Sequence, residues 1–385
     1  MTTLGKQGLR QLRHHLHAHP ELSRQEVNTG LHMRGWLKRN APPDRIIDLD
    51  GAGFAALYQG GTPGKTVLIR TELDALPIDE SALKLPYGSK SPGVSHKCGH
   101  DGHMAILAGL AQKLAARRPA RGCAALLFQP DEETGTGALG CVTHKGFAEI
   151  APDYAFALHN FPGYPLHQIV CRAGSFTSSV RFMALKLQGR NAHSAQPETG
   201  ASPALAIAEI TRIASRIQQE HDGGNPQEGD FALIVPIHFA MGVASSGVAP
   251  GYGEAHFTLR ASRNELVDTM WTAFAGAAHE IAGQHGLELE IEVIEDYRAS
   301  VNDAEAAAMI ETAGGDDGIE QAAMTAPRRF GEDFGEITAR VKGAMFGLGA
   351  GTHSPGLHHE EYDFPDELIP TGIAMFEHLI GQALG

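Results

Sequence analysis

The chain has 385 residues, more than one hydrophobic core ordinarily serves, so two domains are expected. Apolar residues at 42% and charged residues at 20% exclude a disordered or fibrous chain, and a net charge of -14 argues against a nucleic-acid partner. No apolar run approaches the ~18 residues of a membrane helix, and the start MTTLGKQGLRQLRHHLHAHPEL has no apolar signal core, so a cytoplasmic protein is expected.

In chain order, RQLRHHLHAH and TGLHMRGWLKRN read as helices. GFAALYQG and KTVLIRTEL read as a strand pair joined by a turn at GGTPGK. HMAILAGLAQKLAARR has helical spacing, so SHKCGHDG leads into a helix. CAALLFQP and DYAFALHN are short apolar runs of the length of buried strands. This alternation predicts an α/β domain with its chemistry at strand ends. From about residue 177 the order becomes strand (SVRFMALKLQGR), helix (SPALAIAEITRIASRIQQEH) and two strands (FALIVPIHFAMG, GEAHFTLRAS). A helix (NELVDTMWTAFAGAAHEIAGQHG) and a strand (LELEIEVIEDY) complete it. β-α-β-β-α-β is the ferredoxin-like order. The remainder, ending in Gly-rich turns and GTHSPGLHHEEYDF, reads as completing the first domain. The expected architecture is therefore α/β. A mixed-sheet domain with helices on both faces spans 1–176 and 291–385, and a ferredoxin-like α+β insertion spans 177–290.

Four cysteines, Cys98, Cys123, Cys141 and Cys171, form no C-x-x-C pair, and reduced thiols are expected. The last three sit among apolar or small residues and read as core. Cys98 differs. In Cys98-Gly99-His100 a thiolate and an imidazole two residues apart, at a Gly-rich helix entry, can hold one metal ion, and a thiolate can bridge two. Asp131-Glu132-Glu133 follows a strand, where neighbouring carboxylates splay. One can bind metal while another accepts a proton from water. Read alone, this triplet is equally a solvated acidic turn. His159, after an apolar strand, and the tandem His358-His359 near the C-terminus are each ordinary structural or surface histidines when taken singly. Together, Cys98, His100, Glu133, His159 and His358 supply five N, S and O donors, about what two borderline metals sharing a thiolate need.

Those residues occur within HAHPELSRQE, RTELDALPIDE, SHKCGHDGHMA, LLFQPDEETGTGA, FALHNFPG, GRNAHSAQPETGASP, FGEDF and GLHHEEYDF, which run from end to end. As a set, in this order and spacing, the chain resembles the hippurate hydrolase and indole-acetyl-amino-acid hydrolase branch of the metal-dependent aminoacylase and carboxypeptidase superfamily. The resemblance implies a catalytic domain with an inserted lid or dimerisation domain. It implies two divalent ions, zinc or manganese with nickel and cobalt as alternatives, on Cys98, His100, Glu133, His159 and His358. It makes Glu132 the general base, Asp74 a residue that orients a ligand, and His193 a lid histidine that stabilises the oxyanion, often across a dimer. In some members a lid arginine matching Arg260 grips the substrate carboxylate, although Arg260 by itself reads equally as a solvated edge charge. Three positions depart from the branch: Glu72 for Asp in RTELDALP, Gly247 for Asn in SSGVAPG, and His359-Glu360 for Ser or Asn and Pro. These leave His358 as the better ligand, with His359 beside it.

The implied reaction is hydrolysis of the amide of an N-acyl amino acid, or a related small N-acyl compound, to a carboxylic acid and a free amino acid by a homodimer. An N-acetyl-diaminopimelate-type deacetylase is the nearest alternative. A non-catalytic metal-binding protein on the same fold is disfavoured by Glu132, since a purely structural site needs no further carboxylate beside its ligands. A two-metal phosphoesterase would favour Asp and His without a thiolate.

Overall fold

The computed structural model describes residues 5–222, 229–244, 246–316 and 318–385. Residues 1–4, at the head of the segment read for a leader, and Ser245 of SSGVAPG lie outside them. The chain divides into two compact units. One comprises Met1–Phe176, Ser300–Met324 and Glu332–Gly385, and the other Thr177–Ala299 and Thr325–Gly331.

The larger unit is built on an eight-stranded mixed sheet. Its strands lie in the order Arg45–Asp48, Phe54–Gln59, Arg121–Gln129, Thr62–Glu72, Tyr154–Phe161, Lys342–Gly349, Ile169–Cys171 and Gln321–Ala323. Four neighbours at its centre, from Arg121–Gln129 to Lys342–Gly349, run parallel. Val67, Ile69, Ala124, Leu126 and Phe128 pack into one hydrophobic core, while the alternate residues Leu68, Ala125 and Leu127 point to the opposite face and are equally buried. Burial on both faces is why these strands read as continuous apolar runs.

One expectation fails here. Phe54–Gln59 and Thr62–Glu72 do not pair with each other, because Arg121–Gln129 lies between them, antiparallel to the first and parallel to the second. A short Gly-rich connection suggests a hairpin, but Gly60 N–H donates to the Gly122 carbonyl at 2.7 Å, pulling the third strand into the gap. The pairing register is set by a partner some sixty residues away, which local turn chemistry cannot reveal.

The smaller unit holds a four-stranded antiparallel sheet in the order Ala232–Met241, Tyr252–Ala261, Ser179–Gln188, Glu288–Tyr297. Helices Ala204–His221 and Asn264–Gln284 supply Ile210, Ala214, Met270 and Phe274 to a core with Met183, Leu185, Phe257 and Leu259. This is the ferredoxin-like arrangement expected from the element order. The edge strand Ala232–Met241 is bulged between Pro236 and His238, and it exposes Ile237 (55%) and Phe239 (49%). His193, expected in a loop, instead sits in a two-residue strand, Ala192–His193, paired with Val248–Ala249. Gly247 accepts from Ser194 N–H in the same ribbon.

Candidate metal centre

The carboxyl ends of the central parallel strands converge, and the residues singled out by the sequence follow those ends. Asp74 lies just beyond Thr62–Glu72, Asp131-Glu132-Glu133 just beyond Arg121–Gln129, and His159 among the last three residues of the strand Tyr154–Phe161 rather than after it. His100 is the first residue of the helix His100–Ala116. It is preceded by Gly99 at φ +94, where an added Cβ would lie 2.5 Å from Asn160 Oδ1, so only glycine allows Cys98 and His100 this approach. Asp131 and His358 also adopt left-handed backbone, at φ 60 and 64, a costly conformation that redirects the side chains beside them.

Donor atoms of Cys98, His100 and His159 lie within 4.8 Å of one another, as do those of Cys98, Glu133 and His358, and of His100, Glu132 and Glu133. Cys98 belongs to two of these groups, the position a bridging thiolate requires. Cys98 Sγ is 3.4 Å from His159 Nε2. His100 Nε2 is 3.8 Å from Glu133 Oε1, and His358 Nε2 is 3.6 Å from Glu133 Oε2. All five expected ligands are thus brought together, His358 being the most exposed with its side chain 51% accessible. His359 is exposed and its Nδ1 accepts from Glu361 N–H.

The donor set fits divalent metal ions. His100 Nε2 and Glu133 Oε1 are buried with no hydrogen-bond partner, a costly state unless a cation satisfies them. The ring nitrogens that face away are already engaged. His100 Nδ1–H donates to the Asp74 carbonyl at 2.9 Å, and His159 Nδ1–H donates to the Asn160 carbonyl at 3.0 Å. Each ring therefore presents Nε2 to the cluster, the outer-sphere pattern of metal-binding histidines. Asp74 carries a second task, since its Oδ2 accepts from Glu133 N–H at 2.9 Å and from Ser23 Oγ at 2.8 Å. The site carries an excess of negative charge: burial opposes a charge on His100, but Asp74, Glu72 and Glu133 outweigh it and raise the ring to about 10, so a proton occupies Nε2 unless a metal cation takes its place. Burial and the flanking carboxylates Glu133 and Glu132 push the Cys98 thiol upward, so a thiolate there requires a cation. Burial also raises Glu132, reinforced by Glu332, Glu133 and Asp333.

Sequence reasoning missed a second, wholly buried layer. Glu72, the departure from Asp, uses its extra length to accept from His103 Nδ1–H at 2.7 Å while pairing with Arg70. His103 Nε2 in turn contacts Asn160 Oδ1 at 2.5 Å. In the smaller unit, His193 is exposed, its Nδ1 accepting from Ala195 N–H, and Arg260 donates to the Arg329 carbonyl at 2.9 Å.

Residues 68–382 match peptidase family M20/M25/M40. The chain belongs to this family. It is accordingly an enzyme, a metal-dependent amidohydrolase. The M20 chain is 29% identical to YhaA of Bacillus subtilis over 371 residues, 94% of this chain and 91% of that one. It is 28% identical to the N-acetyldiaminopimelate deacetylase of Listeria monocytogenes over 380 residues, 96% of this chain and 97% of that one. Among solved structures, it superposes on the YXEP protein of Bacillus subtilis, a dinuclear metal-binding peptidase of the M20 family. The TM-score is 0.81 at 26% identity, covering 98% of both chains. A protein from methicillin-resistant Staphylococcus aureus shares the fold at TM-score 0.84 and 22% identity. Among the described residues, no helix is long and apolar enough to cross a membrane.

Proposed function

We propose that this M20 enzyme cleaves the amide bond of an N-acyl amino acid, giving a carboxylic acid and the free amino acid. The observation that carries the reading is the pairing of Glu132 with a five-donor cluster that does not need it. Cys98, His100, Glu133, His159 and His358 account for the ligands, and Glu132, 5% exposed, stands beside His100 with Oε2 at 3.9 Å from Nε2. Two divalent ions in this donor set, zinc or manganese, would make the attacking water acidic and polarise the scissile carbonyl. Glu132 accepts the proton of that water as its oxygen attacks, then returns it to the leaving amine. Asp74 holds both His100 and Glu133 in place. His193 donates a hydrogen bond to the developing oxyanion, and Arg260 pairs with the substrate carboxylate, a match for the guanidinium fork.

Two finer readings of the substrate are distinguishable. The motif set favours the hippurate hydrolase branch. The relatives named N-acetyldiaminopimelate deacetylase favour a short acetyl group on a diamino acid. The test is a panel of N-acyl amino acids, N-benzoylglycine and N-acetyldiaminopimelate among them, assayed for released amine with zinc, manganese, nickel or cobalt supplied. Turnover of one class over the other by ~10-fold or more in kcat/KM decides the branch, and release from none of them refutes the proposal.

The exposed edge strand Ala232–Met241 supports a homodimer through the smaller unit, because an unpaired apolar edge is a template for another copy. We infer that His193 serves the site of the partner. Mixing inactive His193→Ala with inactive Glu132→Gln subunits then restores activity as heterodimers form. No recovery after proven exchange places the histidine in its own chain's site or outside the reaction.

A further inference from the structure

The FGEDF segment carries two carboxylates that the proposed reaction does not use. Glu332 and Asp333 are 1% and 0% exposed, and between them lies Arg70, 1% exposed. Arg70 Nη2 is 2.6 Å from Asp333 Oδ1 and 2.9 Å from Glu332 Oε1, while Nη1 meets Glu72. Carboxylates buried this deeply demand a countercharge, and a planar guanidinium can serve several at once.

Asp333 does more than balance charge. Its Oδ2 accepts from Ala138 N–H at 2.7 Å and from Gln129 Nε2 at 2.8 Å. Gln129 is the last residue of the strand Arg121–Gln129, and Ala138 is the second residue of the helix Gly137–Thr143. The segment between them contains Glu132 and Glu133. One carboxylate thus holds both feet of the loop that bears them. Arg70 fixes the clasp from below, donating Nε–H to Gln129 Oε1 at 2.9 Å. The top of the loop is held independently. Asp131, in left-handed backbone, donates its N–H to Glu26 at 2.8 Å, and its carboxylate accepts from Arg24, Thr134 and Thr136. Carboxylate oxygens of Glu132, Glu332 and Asp333 lie within 4.8 Å of one another, so the clasp adjoins the Glu132 carboxylate.

We propose that Asp333, oriented by Arg70, is a positioning residue for amide hydrolysis. It fixes the 129–138 loop so that the Glu132 carboxylate stands where the attacking water gives up its proton. This rests on the reading of Glu132 as the base. The competing reading is an ion pair that stabilises the fold and leaves turnover alone. The two differ because proton transfer demands hydrogen-bond reach, and a displacement of about 1 Å costs up to ~10²-fold in rate.

The test uses the full-length, metal-loaded enzyme and the best N-acyl amino acid of the panel. Asp333→Asn keeps the shape but sets an amide donor against Gln129 Nε2 and Arg70. Gln129→Met removes one foot of the clasp and leaves the Arg70 ion pairs in place. Both should retain the wild-type metal content and a KM within about threefold, with kcat lower by ~30- to 100-fold and ~10-fold respectively. Each is then combined with Glu132→Gln. If Asp333 acts through Glu132, the double variants turn over no more slowly than Glu132→Gln alone, because the positioned group is already gone. Should Asp333→Asn fail to fold, Gln129→Met carries the same cycle. Unchanged kcat at full metal content, or losses that multiply in the double variants, overturn the proposal while leaving Glu132 as the base. Near-wild-type turnover by Glu132→Gln alone overturns both.

Discussion

His17 offers a quantitative test of the polar network behind the metal-centre loop. The imidazole is fully buried, with Nδ1 2.9 Å from Asp101 Oδ2 and Nε2 3.0 Å from Glu80 Oε2. Arg13 also binds Asp101, at 3.1 Å, and Lys97 binds Glu80, at 2.5 Å. Burial works against a charged ring, yet the two carboxylates outweigh it and raise His17 from 6.5 to about 9. That difference corresponds to about 3 kcal/mol favouring the folded, protonated state. Below pH 6.5 both folded and unfolded chains carry the proton, and the contribution is complete. As pH rises the unfolded chain loses its proton first, so the contribution declines from pH 6.5 and is gone above about 9. Urea unfolding of the metal-loaded enzyme at intervals from pH 6 to 10, beside His17→Gln, isolates it. The wild type should lose about 3 kcal/mol more than the variant across this window. Parallel stability curves would show that His17 is neutral when folded and would refute the assignment of charge in this network.

Gly102 faces Phe364 so closely that an added Cβ would lie 2.4 Å from ring carbons, and the ring is 1% exposed with nowhere to move. Gly102→Ala should therefore destabilise by about 1–2 kcal/mol in a thermal melt despite its gain in helix propensity, and an equal or higher Tm contradicts this packing. Cys98 should resist thiol reagents in the metal-loaded enzyme and react after chelation and mild unfolding, whereas equal labelling in both states argues against a metal-bound sulfur. Arg260→Ala should raise KM for N-acyl amino acids by ~10-fold or more while sparing the corresponding N-acyl amines, and equal effects on both would make Arg260 structural.

The residues proposed to hold the metals were legible because each is a chemically distinctive donor, four of them near a strand end or at a helix entry and His358 in a Gly-rich loop. Their convergence follows once the central strands are parallel. The ferredoxin-like unit was legible because its helices and strands differ in hydrophobic period. What sequence concealed were contacts between distant segments. The pairing of Phe54–Gln59 with Arg121–Gln129 was invisible to turn chemistry, which pointed to Thr62–Glu72 instead. The Arg70, Glu72, Glu332 and Asp333 layer joins residues more than 250 positions apart, and although RTELDALPIDE and FGEDF both belong to the motif set, nothing in either shows that it meets the other. A signal for the His17 network was present. Arg13 and His17 fall on the same helix stripe as Leu9, Leu12 and Leu16, and a charged pair on an apolar face must meet buried partners.

In the proposed reaction Glu132 moves the proton while its neighbours hold the metals. Turnover of an N-acyl amino acid by metal-loaded Glu132→Gln, measured against wild type with metal content determined on the same samples, tests it most directly. The glutamine keeps the size of the side chain and cannot accept the proton, so unchanged metal content and a kcat lower by ~10²–10⁴-fold are predicted. A variant that holds its metals and turns over at close to the wild-type rate would contradict the account, and one that loses its metals would make Glu132 a ligand.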